Sequence, residues 1–161
     1  MARTDLFDRS SQRALPVWLP VAVAALIVAR VISSRYAVKS ATDLIRWVPA
    51  ERAARMAGMT QKPILYEFTA EWCGPCHRLE DEVFRDSRLA ALINEKFIPV
   101  KVVDRKRETG TNPPEVARLE AQYRVVAFPT VVVAHHRRNP PATLVGYQGA
   151  AHFEDFIRGI P

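Results

Sequence analysis

The chain has 161 residues, 48% of them hydrophobic and 9% aromatic, with a formal net charge of +6. That is room for one domain of ordinary size plus an extension, with enough apolar material to fill a core. Two cysteines and four scattered histidines leave no structural disulfide framework and no metal-ligand spacing, and the interspersed charges of residues 44–161 (17 basic, 14 acidic) offer no basic face for nucleic acid.

Residues 1–13 read as a polar N-terminal tail. Residues 14–32 form an apolar run in which sixteen uncharged residues precede Arg30, with Val31 and Ile32 resuming the pattern. A membrane-crossing helix needs about 20 such residues, and the run reaches that length if Arg30 snorkels to the interface and Trp18 marks an end. Ala22-Val23-Ala24 offers a competing signal-peptidase site, but cleavage there would leave an apolar mature N-terminus, Ala25-Leu26-Ile27-Val28. An uncleaved anchor is the preferred reading, and a buried helix of a soluble domain is disfavoured because the run has no polar face. Residues 33–43 follow as a tether. Arg3, Arg9 and Arg13 before the run nearly balance Arg30, Arg35, Lys39 and Arg46 after it, and the charge rule slightly favours placing the residues after the run on the cytoplasmic side.

Ile64-Leu65-Tyr66-Glu67-Phe68 reads as a buried strand. Cys73-Gly74-Pro75-Cys76 follows, and His77 to Lys96 carries apolar residues at Leu79, Val83, Phe84, Leu89, Leu92 and Ile93, the pattern of a helix with a bend. Cys73 thus falls at a helix N-terminus, where free N–H groups and the dipole stabilise a thiolate. Cys76, about one turn further in, can close a short disulfide and release whatever Cys73 has captured. Cys73 is therefore read as the attacking and more exposed thiol. Arg105-Lys106-Arg107 and His135-His136-Arg137-Arg138 read as solvated loops, with a turn at Asn139-Pro140-Pro141. Thr130-Val131-Val132-Val133 reads as a strand.

Tyr66-Glu67-Phe68-Thr69-Ala70-Glu71-Trp72-Cys73-Gly74-Pro75-Cys76 resembles the active-site segment of the thioredoxin superfamily. Phe128-Pro129-Thr130 resembles its cis-proline loop, and Gly146 the glycine of its last strand. Glu80, Phe84 and Phe97–Asp104, with Trp47, Ala53–Ala54 and Lys62-Pro63 upstream, are similar to the C-terminal thioredoxin-like domain of DsbD and related membrane-anchored proteins. Asp81 stands where a helix-kinking proline is usual, Glu67 where an aspartate is usual, and Arg105–Pro114 lengthens one connection.

The resemblance implies an α/β thioredoxin-like fold for residues 44–161, a central mixed sheet flanked by helices, with an N-terminal transmembrane helix before it. Strands are expected near 44–48, 63–69, 97–103, 130–135 and 143–147, and helices near 50–59, 74–95, 114–123 and 151–159. The expected sheet core is Ile64, Leu65, Phe68, Val100, Val102, Val131 and Val133. It also implies a membrane-anchored thiol–disulfide oxidoreductase reducing protein disulfides outside the cytoplasm. The chain would be single-pass in the inner membrane, monomeric, and served by an upstream dithiol donor, with no cofactor. Gly74-Pro75 between the cysteines resembles reducing members, where thioredoxin lies near about −270 mV against about −120 mV for the oxidant DsbA.

Each site residue has a second reading. Trp72 either shields the thiols and meets substrate or packs in the core. Pro129, through the resemblance, follows a cis bond and presents backbone to substrate, with Phe128 beside it; the plain reading is a strand-start proline. Glu67 is a buried carboxylate that takes the Cys76 proton, or a partly exposed strand residue, with Lys101 a candidate neighbour. His77 supports a thiolate or is solvated. Cys73-Gly74-Pro75-Cys76-His77 also satisfies the haem c attachment pattern, which makes a haem-binding electron carrier one alternative function. A redox-inert interaction module is the other.

Overall fold

The β-branched and aromatic run at residues 64–70 forms the central strand of a four-stranded sheet in the computed structural model, which describes residues 44–135 and 138–161 and, before them, Val23 alone. The elements in chain order are α1 (Ala50–Thr60), β1 (Ile64–Ala70), α2 (Gly74–Leu79), a π-helical turn (Glu80–Phe84), α3 (Ser87–Lys96) and β2 (Ile98–Asp104). There follow α4 (Lys106–Thr109), α5 (Pro114–Tyr123), β3 (Thr130–His135), β4 (Arg138–Val145) and α6 (Ala150–Arg158). The sheet order is β2-β1-β3-β4, with β1 parallel to β2 and antiparallel to β3, and β3 antiparallel to β4. Apart from Val23, the transmembrane run expected at 14–32, with its tail and tether, lies outside the described residues. Among the described residues no helix is long and apolar enough to cross a membrane.

Alternation along the strands divides the core between two faces. Leu65, Val131 and Val133 face α2, the π turn, α3 and α6, packing with Leu79, Val83, Phe84, Ile93, Phe153 and Ile157. Tyr66, Phe68, Val100, Val102 and Val132 face α1 and α5, packing with Ala53 and Leu119. All seven residues expected in the sheet core are buried.

Four expectations are corrected. Residues 44–48 do not form a strand: Arg46 N–H donates to Asn94 Oδ1 and Asn94 Nδ2 donates to Leu44 O, both at 2.9 Å, leaving Val48 N–H on Pro99 O (2.8 Å) as the contact with β2. Pro99 has no N–H to return, so pairing cannot propagate along this edge. The helix expected at 74–95 is broken into α2, the π turn and α3, and Asp86 caps the restart by accepting Leu89 N–H at 2.8 Å. The connection after β2 is not irregular throughout but holds α4.

The turn expected at Asn139-Pro140-Pro141 is instead part of β4, which begins at Arg138 rather than near 143. β4 is an edge strand and its ladder is irregular between Val133 and His135, the setting in which a sheet tolerates prolines. His135 ends β3, as the strand expected at 130–135 has it, and its Nε2 lies 3.1 Å from Gln61 O.

Glu154 of α6 ties that helix to α3. Arg88 donates to its two oxygens at 2.5 and 2.7 Å, and Arg158 Nε to Oε1 at 2.8 Å. The hydrogen bonds from Arg88 first, then Arg158, hold the Glu154 carboxyl down at about 2 from an ordinary 4.5. A carboxyl depressed on folding stabilises the protein above its unfolded value, and that contribution is lost as pH falls toward the folded one. The difference in melting temperature between wild type and Glu154→Gln is therefore expected to be full above pH 4.5 and to narrow between 4.5 and about 2. A constant difference across that range in thermal denaturation would assign the effect to packing.

Candidate redox site

Pairing register brings three chain segments to one end of the sheet. Ala70, the last residue of β1, pairs with Asp104, the last of β2, and Phe68 pairs with Thr130, the first of β3. The cysteine motif, the Arg105–Pro114 connection and the Phe128–Pro129 loop therefore leave the sheet side by side.

Cys73 is the N-cap of α2, as the sequence suggests. Its backbone is extended and its Sγ accepts the Cys76 N–H at 3.2 Å, while Pro75 occupies the first turn, where a missing N–H costs nothing. Cys73 O accepts Cys76 N–H at 3.0 Å and His77 N–H at 3.2 Å, which fixes the turn. The two cysteines are joined in a disulfide with Cα atoms 5.3 Å apart. In this oxidised form both are 3% exposed, so exposure does not separate them, contrary to the sequence expectation. Position does: Cys73 stands at the helix start and Cys76 within the first turn.

Cys73 and Cys76 pack against Ala70 and Phe128. Trp72, 48% exposed, meets Phe128 edge-on with ring centroids 6.0 Å apart, which rules out simple core packing for it. Gly74 and Pro75 are exposed beside the disulfide. Pro129 is buried behind Phe128, follows a cis peptide bond, and its carbonyl accepts Gly146 N–H at 2.7 Å. Gly146 itself lies just past the end of β4, at φ 80°, a conformation that favours glycine. Thr130 Oγ1 donates to Ala127 O at 2.7 Å and closes the loop below.

Glu67 is 1% exposed in the middle of β1, which removes the partly exposed reading. It shares with Leu65 the sheet face that α2 covers, and Lys101 is its register partner on β2. Lys101 Nζ reaches Glu80 Oε2 at 3.4 Å and lies 5.2 Å from the Trp47 ring centroid. Lys101 thus neighbours Glu67 in register, while the ion pair that its Nζ makes is with Glu80. His77 is exposed, with Nε2 2.9 Å from Glu71 O.

Residues that the sequence assigned to a solvated loop stand at this site. Arg105 Nη2 lies 3.3 Å from Glu71 Oε1, and the Arg107 guanidinium carbon lies 5.2 Å from the Trp72 ring centroid. The loop is held by Asn112, whose Oδ1 accepts Arg105 N–H at 2.6 Å while its Nδ2 donates to Asp104 Oδ2 at 2.6 Å and to Glu120 at 3.1 and 3.2 Å. Lys106 Nζ adds an ion pair to Glu120 at 3.1 Å. Asp104 and Glu120 are buried, so Asn112→Ala is expected to cost about 1–3 kcal/mol by removing a donor from both. Chemical denaturation followed by tryptophan fluorescence checks this; a loss below about 0.5 kcal/mol would mean that Lys106 alone satisfies the carboxylates.

The family model of the thioredoxin-like domain matches residues 50–160. The chain belongs to this family. The thioredoxin of Alicyclobacillus acidocaldarius is 30% identical over 96 residues, 58% of this chain and 76% of that protein. The thiol:disulfide interchange protein DsbD of Vibrio vulnificus is 29% identical over 107 residues, 65% of this chain but only 17% of that relative's length. The oxidised C-terminal domain of DsbD from Neisseria meningitidis superposes with a TM-score of 0.51 at 22% identity, covering 70% of this chain and 97% of that domain, a likeness of fold. The thioredoxin-like domain described here is accordingly an oxidoreductase domain with a disulfide-capable pair at Cys73–Cys76.

Proposed function

We propose that the protein is a membrane-anchored thiol–disulfide oxidoreductase that reduces protein disulfides outside the cytoplasm. The observation that carries the redox half is the Cys73–Cys76 disulfide, capped at the start of α2 and packed against Phe128 beside the cis Phe128–Pro129 bond. In the dithiol form, the Cys73 thiolate attacks one sulfur of a substrate disulfide, forming a mixed disulfide and expelling the other substrate sulfur as a thiolate. Cys76 gives up its proton, Glu67 being the proposed acceptor, and attacks Cys73 Sγ. The second substrate sulfur leaves, two electrons have passed to the substrate, and the Cys73–Cys76 disulfide remains for an upstream dithiol to reduce. Trp72, Gly74, Pro75, Phe128 and Pro129 form the proposed surface for the substrate chain.

Anchoring rests on the apolar run at residues 14–32, and placement outside the cytoplasm on the similarity to DsbD relatives. The haem-attachment reading draws no support from the site, where the two sulfurs are bonded to each other and His77 Nε2 lies against Glu71 O. A detergent-purified full chain is expected to accelerate insulin reduction by dithiothreitol, and protease added to spheroplasts to digest the catalytic domain. No acceleration would favour the interaction-module reading, and a protected domain would place it on the cytoplasmic side.

A further inference from the structure

We propose that the Arg105–Pro114 connection is a specificity element, selecting polypeptide substrates with acidic residues beside the target cysteine. The inference rests on the reading of Cys73–Cys76 as a reducing pair and adds the class of chain that the pair serves.

The three consecutive basic residues have different surroundings. Lys106 turns to the buried carboxylates, 3.1 Å from Glu120 and 4.0 Å from Asp104, and with Asn112 anchors the loop. Its charge is spent on that anchor. Arg105 and Arg107, on either side, reach the rim of the cysteine site instead. Arg107 lies over the ring of the half-exposed Trp72 and has no carboxylate partner among the described residues. Cation–π contact holds the planar guanidinium in place while leaving its N–H edge for a carboxylate, which it binds in bidentate fashion. Arg105 pairs with Glu71, but both side chains are more than half exposed (52% and 59%), so an incoming carboxylate competes at little cost. Glu108 follows Arg107 by about 100° around α4 and so does not share its direction.

The platform that this charge overlooks is apolar. Trp72 is half exposed, Phe128 packs edge-on against it, and Val126, two residues before Phe128, is 93% exposed. An apolar floor with a positive wall on one side fits an extended segment that lays an apolar residue on Trp72 and Phe128 and an acidic one against Arg107. Because the wall is set by a lengthened loop pinned by Asn112, it is a property of this chain rather than of the cysteine motif.

The test uses the full chain and two disulfide-bridged peptides identical except for Asp or Lys on either side of one cysteine. Bis(2-hydroxyethyl) disulfide, which has no charge, serves as a third substrate. The readout is the ratio of kcat/KM for the acidic peptide to that for the basic one, which cancels any general change at the cysteines. Wild type is expected to favour the acidic peptide by about fivefold to tenfold at low salt, and to lose the preference near 1 M salt, where the screening length falls to about 3 Å. Arg107→Gln should bring the ratio close to one and Arg107→Glu should invert it. A wild-type ratio of one, or a preference untouched in Arg107→Glu, would overturn the inference while turnover of the uncharged disulfide left the reductase reading standing. Failure to reduce any of the three substrates would overturn both.

Discussion

Cys73→Ser is expected to abolish disulfide reduction, lowering kcat/KM by at least about 10³-fold, because no neighbouring group can replace a thiolate nucleophile. Cys76→Ser is expected to behave differently. If Cys73 attacks first, Cys76→Ser retains the first step and loses the second, so covalent mixed disulfides with substrate should accumulate. Cys73→Ser should accumulate none. The assignment cannot rest on exposure, since both cysteines are 3% exposed in the disulfide form. It rests on electrostatics: Cys73 Sγ already accepts the Cys76 N–H at 3.2 Å and stands at the positive end of α2, interactions that favour a thiolate at Cys73 once the disulfide is opened. Alkylation of the reduced protein at mildly acidic pH should therefore modify Cys73 first. Preferential labelling of Cys76, or trapped intermediates with Cys73→Ser, would reverse the roles.

The redox centre was legible in the sequence because its signals are local. A β-branched and aromatic run, two cysteines at its end and a helical pattern beyond need no knowledge of distant residues, and β1, β2, β3, α1, α5 and α6 all fall within about a residue of their expected positions. What the sequence hid depends on partners far along the chain. The missing strand at 44–48 turns on Asn94, about fifty residues away, which takes the Arg46 N–H and gives its own to Leu44 O. Pro140 and Pro141 read as turn residues because that rule weighs a proline without knowing whether its strand lies at an edge. Arg105 and Arg107 are exposed as expected, but only the pairing of Ala70 with Asp104 places their loop beside Trp72. Asn112 carried no signal of its own. Its importance comes from standing within reach of Asp104 and Glu120 together.

Glu67→Gln is expected to slow resolution of the mixed disulfide while sparing the first attack by Cys73. Glu67 lies buried on the sheet face that α2 covers, the helix that carries Cys76, and next in register to Lys101. Lys101 in turn sits 3.4 Å from Glu80, a carboxylate nearer solvent. In the proposed mechanism Glu67 is the base that takes the Cys76 proton as the sulfur attacks. Glutamine keeps the size and removes the basicity. General-base assistance contributes about 10²–10⁴-fold, so a loss of at least about tenfold in the resolving step is expected. Loss of a binding or packing role would instead lower both steps together. Stability should hold or rise, since a charged carboxylate held away from water is costly to keep. Stopped-flow decay of a preformed mixed disulfide separates the two steps. A resolving rate unchanged across neutral pH would leave Glu67 as a structural residue of β1 and require another acceptor for the Cys76 proton.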